Sequence, residues 1–113
     1  MTSTSETPTH GELVRALRTA APDTFAKLTA FDDAALRADG NVLPRKYVEL
    51  MAIAVALTTQ CEGCIDAHTA SAKREGATEE ELAETVFVAT ALRAGAALTH
   101  GLKSVRAYHS AAH

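Results

Sequence analysis

The stretch that most limits the fold is Val48 to Leu57, VELMAIAVAL, in which Glu49 is the only charged residue. Pro44 stands just before it and suits a helix start, so a helix is expected over Arg45–Thr58. After Glu49 its apolar residues, with Val48, Leu50, Met51, Ile53, Val55 and Leu57 foremost, occupy nearly every side. Such a helix is expected to be the central, most buried element. The unbroken apolar run, Leu50 to Leu57, is far shorter than the roughly 20 residues that span a bilayer. Alanine is abundant, aromatics make up 4% and there is no Trp, a balance that suits closely packed helices. No segment alternates with period two, so the fold class is all-α, with about five to six helices. The 113 residues suffice for one core, and the expected organisation is a flexible polar tail, 1–9, followed by a single helical domain, 10–113.

The remaining helices are expected from local signals. Leu13 and Leu17 share a face of a first helix over Gly11–Ala20. Pro22 and Asp23 suit the first turn of a second, with Phe25, Leu28, Ala35 and Leu36 inward and Asp39-Gly40-Asn41 as its stop. A fourth is expected from Gln60 to Glu75, ended by Gly76 in a left-handed conformation. Thr78-Glu79-Glu80-Glu81 has the capping-box form and opens a fifth through Leu82, Val86, Phe87 and Leu92. Gly95 and Gly101 are expected to bend or interrupt the chain beyond Leu92, leaving Ala96–His109 as a further helix.

Both cysteines lie in Cys61-Glu62-Gly63-Cys64, and His68 comes four residues later. On a helix, Cys61, Cys64 and His68 fall within roughly 60° of one another, so one stripe carries two thiols and a base. Thr59-Gln60-Cys61-Glu62 reads as a capping box with Thr59 as N-cap, which puts Cys61 in the first turn and favours its thiolate. Dithiol–disulfide chemistry is the leading reading. Zinc is a rival, because Cys61, Cys64, His68 and one carboxylate could supply four ligands, although no second Cys or His pair exists. Inert cysteines are the bland alternative. A thioredoxin-type site would need a preceding strand, and a haem attachment site would need His where Ile65 stands.

Glu49 has two readings as well: a solvated first-turn carboxylate complementing the helix dipole, or a proton relay for the dithiol. In one continuous helix it would lie about 18 Å from Cys61, so the relay requires a bend between them. His10 and His113 near the ends, His100 and His109 in the last helix, and the solvated Arg93 and Lys103 carry no assigned chemistry.

Glu49, Cys61, Cys64 and His68 together read E-x11-C-x2-C-x3-H. This pattern resembles the alkylhydroperoxidase D-like branch of the carboxymuconolactone decarboxylase family. Lys46-Tyr47-Val48-Glu49-Leu50, Ala67-His68-Thr69 and Gly76-Ala77-Thr78-Glu79-Glu80-Glu81 resemble it too, over about residues 20 to 98. The resemblance implies an all-helical homo-oligomer, commonly a trimer or hexamer, with active sites near subunit contacts. It implies a thiol-dependent peroxidase or disulfide reductase in which Cys64 attacks a hydroperoxide and Cys61 closes the disulfide. Glu49 and His68, with a bound water, would move the thiol proton, and a thiol or dithiol donor would restore the enzyme. No cofactor or metal is implied. Gly63 departs from members that carry histidine between the cysteines. The decarboxylase branch lacks the cysteine pair, so the resemblance points away from decarboxylation. The alternative is a redox-sensing or metal-binding C-x-x-C module without peroxidase turnover.

Net charge of -3 and a pI near 5.9 give no electrostatic reason for a nucleic acid or anionic membrane partner. Met1 to Thr9 lacks the basic flank and apolar segment of a secretory signal, and a cytoplasmic location is expected by default.

Overall fold

The structure, a computed structural model, describes residues 6–112, so the first five positions of the expected tail and His113 lie outside the described residues. Among the described residues five helices succeed one another: α1 His10–Ala20, α2 Pro22–Arg37, α3 Arg45–Thr59, α4 Glu62–Arg74 and α5 Glu79–Ser110. No strand occurs among the described residues, and the fold is all-α. Residue contacts divide the chain into two compact units, Met1–Asn41 and Val42–His113.

In the first unit α1 and α2 form a helical pair. Thr9, assigned to the tail by its composition, caps α1: its hydroxyl accepts the Glu12 N–H at 3.1 Å and the Glu12 carboxylate returns to its backbone N–H. Phe25 and Leu36 of α2 are half-buried as expected, whereas Leu28 and Ala35 are exposed. The expected stop is present, and its working part is Asn41, whose Nδ2 donates to the carbonyl of Ala34 at 2.9 Å. Arg37 in the last turn of α2 pairs with Asp32 and Asp33, and those two bonds raise its proton affinity above the ordinary guanidinium value.

In the second unit α3 packs against both α4 and α5. Leu50, Ile53 and Ala72 form the core, with Leu57, Ala77 and Leu82 packed around it. The expectation of all-round burial for α3 needs correcting. Two packed helices cover one side of it, and Tyr47, Met51 and Val55, spaced i, i+4, i+8, form an exposed stripe. Helix α4 ends in a Schellman arrangement: the Ala77 N–H reaches Ala72 O, the Gly76 N–H reaches Lys73 O, and Gly76 takes φ of 90°, a conformation open to glycine at no steric cost. Thr78 and Glu81 make the capping box that the sequence announces. Beyond it the break expected at Gly95 or Gly101 is absent, and α5 runs through both as one helix of 32 residues. A single glycine in a helix costs only about 1 kcal/mol relative to alanine, which alanine-rich flanks can carry.

Candidate functional site

The site is built where α3 gives way to α4. Gln60 takes a left-handed conformation, φ 58° and ψ 40°, and the next N–H, that of Cys61, bonds back to Ala56 O at 3.0 Å. That reversal is the bend that the separation of Glu49 from the cysteines requires. It is not made by Thr59 capping the next helix. The Thr59 hydroxyl donates backwards to Val55 O at 3.0 Å, so it belongs to the end of α3. The N-cap of α4 is Cys61 itself, extended at φ -92° and ψ 94°, with Sγ accepting the Cys64 N–H at 3.3 Å. Cys61 therefore stands just outside the helix and Cys64 inside its first turn, the helix starting two residues later than the sequence pattern suggests. The two sulfurs are joined in a disulfide, with Cα atoms 5.2 Å apart. Cys61 is half-buried and Cys64 exposed.

Glu49 is 1% exposed, which removes the reading of a solvated first-turn carboxylate. A buried carboxylate needs charge or hydrogen-bond partners, and Glu49 has one on each oxygen. His68 Nδ1 lies 2.6 Å from Oε2, and Arg45 Nη2 lies 3.3 Å from Oε1. A carboxylate only accepts, so the Nδ1–H donates, and in the neutral ring Nε2 is the acceptor nitrogen. The structure thus brings Glu49 to His68 across the α3–α4 contact, and Cys61 to Cys64 across the start of α4. His68 lies four residues beyond Cys64 on α4, so both side chains lie on one side of that helix.

Three contributors escaped the sequence reading. Arg45 was legible in principle, since it precedes Glu49 by four residues, the spacing of a helical ion pair. Arg93, expected to be solvated, donates from Nη1 to Thr58 O at 2.7 Å and so ties α5 to the last turn of α3. Its partner lies 35 residues away and leaves no local signal. Lys46 meets Glu81 at 2.9 Å, joining the start of α3 to the start of α5. The backbone N–H of Thr78 and then the Lys46 ammonium hold the Glu81 carboxyl below its ordinary value of 4.5. Among the described residues no group of three or more His, Cys, Asp and Glu side chains is arranged to hold a metal ion.

Helix α5 is long and apolar enough to cross a membrane by length and composition, a property hidden while Gly95 and Gly101 were expected to divide it. Its N-terminal part nevertheless packs on α3, and Arg93 in its middle holds a carbonyl of that helix.

Comparison with known proteins agrees with this architecture. Residues 22–107 match the carboxymuconolactone decarboxylase family. An uncharacterised protein of the cox locus of Paracoccus denitrificans is 47% identical over 68 residues, 60% of each chain. An uncharacterised Haemophilus influenzae protein is 51% identical over 74 residues, 66% of each chain. The aligned part thus spans less than two thirds of these relatives. The crystal structure of an apo carboxymuconolactone decarboxylase family protein from Legionella pneumophila superposes with a TM-score of 0.66 at 29% identity, covering 86% of this chain and 85% of that one. With an all-helical fold and a family match over most of its length, the chain belongs to the carboxymuconolactone decarboxylase family.

Proposed function

We propose that this protein is a thiol-dependent peroxidase or disulfide reductase of the alkylhydroperoxidase D type, acting through Cys61 and Cys64 with Glu49 and His68 as proton relay. The family includes decarboxylase and alkylhydroperoxidase-like enzymes, and the cysteine pair favours the second. The observation that carries the reading is the 2.6 Å bond between His68 and the buried Glu49. A structural disulfide has no use for a base oriented by a buried carboxylate one turn away, whereas a thiol that must lose its proton does.

In the proposed cycle His68 Nε2, directly or through water, takes the Cys64 thiol proton while Glu49 steadies the imidazolium. The Cys64 thiolate attacks the terminal oxygen of a hydroperoxide, the O–O bond breaks, and with one proton the products are a Cys64 sulfenic acid and an alcohol. The Cys61 thiol attacks the sulfenic sulfur, forming the disulfide and releasing water. A thiol or dithiol donor then gives two electrons and two protons to reopen it. Exposure of Cys64 supports its role as the attacking residue. Cys61, whose Sγ accepts the Cys64 N–H at the helix start, is suited to the resolving step because its sulfur is within bonding reach of Cys64. A homo-oligomer in the cytoplasm, with no nucleic-acid or membrane partner, completes the proposal.

The test is a single turnover of the reduced protein with an alkyl hydroperoxide. Mass spectrometry should find the peptide holding Cys61 and Cys64 lighter by two hydrogens, with one alcohol formed per disulfide. Persistent free thiols would overturn the peroxidase, and stoichiometric zinc in the same sample would favour a metal-binding module.

A further inference from the structure

We infer that Arg45 is a positioning residue for the relay: its guanidinium holds one oxygen of Glu49 so that the other faces His68. The inference rests on the proposed relay for its kinetic consequence, although the geometry stands independently of it. Glu49 leaves α3 one turn after Arg45, and the only partners of its carboxylate among the described residues are Arg45 Nη2 on Oε1 and His68 Nδ1 on Oε2. Without Arg45, Oε1 would be a buried acceptor with no donor, and the carboxylate could turn to seek one. That turn would carry Oε2 away from the imidazole.

A second observation sets Arg45 apart from an ordinary helical ion pair. Its Nε is buried and has no hydrogen-bond partner, although Nε and Nη2 form one edge of the guanidinium and commonly grip a carboxylate together. An unsatisfied buried donor is costly. Arg45 meets Glu49 through Nη2 alone, at 3.3 Å on Oε1, while the second carboxylate oxygen bonds His68. The carboxylate thus divides its two oxygens between Arg45 and the imidazole instead of giving both to the guanidinium. Of the charged groups nearby, Lys46 of α3 pairs with Glu81 of α5 and Arg93 of α5 donates to Thr58 O, so neither cation bonds to this carboxylate.

The substitutions Arg45→Met and Arg45→Lys separate positioning from packing. Lysine can restore a cation to Oε1 and has no Nε to bury, whereas methionine fills space without charge. In Arg45→Met the rate of peroxide-driven cysteine oxidation should fall on the order of tenfold, less than the 10²-fold that a full misplacement can cost. Arg45→Lys should recover most of it. Nitrogen NMR of the His68 ring gives a readout that packing alone does not move. The wild type and Arg45→Lys should keep the proton on Nδ1, and Arg45→Met should populate the other tautomer. Unchanged His68 signals in a folded Arg45→Met would overturn the inference whatever the activity. If Arg45→Met fails to fold, Arg45→Lys decides: loss of the wild-type tautomer there overturns it, and retention supports it. Wild-type protein inert towards peroxide would sink the enzymatic proposal while the tautomer measurement still judged Arg45.

Discussion

A carboxylate at 1% exposure is the least expected residue on α3, and its two partners account for its presence there. If Glu49 steadies the imidazolium that forms when Cys64 is deprotonated, Glu49→Gln should keep the fold and lower the rate of cysteine oxidation roughly 10²-fold, the lower range for loss of a general base. Its pH–rate profile should also differ from that of the wild type. His68→Ala should lose as much, and the double variant should lose little more, because the two act as one unit. Stopped-flow measurement of thiol loss against pH checks this, and a wild-type profile in Glu49→Gln would remove the relay. At this scale the sequence was informative about which residues matter and poor about their surroundings. The spacing of Glu49, Cys61, Cys64 and His68 singled out four side chains, but burial of Glu49 depends on α4 lying against α3, which no local pattern records.

Among the elements, helices were legible wherever a side chain signals by its own chemistry: Pro22, the Thr78–Glu81 box and Gly76 all act as their types suggest. The α3–α4 turn was not. A cysteine is an unusual N-cap and a glutamine an unusual left-handed residue, so Thr59 attracted the cap that Cys61 holds. The left-handed Gln60 is strained by about 1–2 kcal/mol. Gln60→Gly should therefore stabilise the protein by about 0.5–1 kcal/mol after the added entropy of the unfolded glycine is deducted. A higher urea midpoint at unchanged slope would register that gain, and a lower midpoint would mean the Gln60 side chain holds the turn. The α3–α5 junction carries a pH signature. Because folding holds the Glu81 carboxyl below 4.5, its contribution is present above that value and is lost as pH falls through the lowered one. Thermal melts should show this component of acid destabilisation in the wild type, and Glu81→Gln should lack it.

At the level of the whole molecule the chain leaves much apolar surface open. Tyr47, Met51 and Val55 line one face of α3, and Leu92, Leu98 and Tyr108 on α5 are 67%, 73% and 80% exposed. Each large side chain returned to a dry interface contributes about 1.5–3 kcal/mol, so association of copies is the expected outcome. Light scattering at micromolar concentration should find a homo-oligomer, and Met51→Lys with Val55→Glu should weaken it if the α3 stripe is an interface. A monomeric wild type would contradict the expectation. The turn at Gln60 also has a bearing on how such a chain can vary. Each residue added to or removed from it would rotate α4 by about 100° against α3. One insertion would swing His68 off Glu49 and move both sulfurs to another side, damage that no repacking of neighbours could undo. The turn works as a mechanical index that fixes the phase of one helix against the other. Related chains using this chemistry should therefore differ in the identity of residues 58–60 and hardly at all in their number.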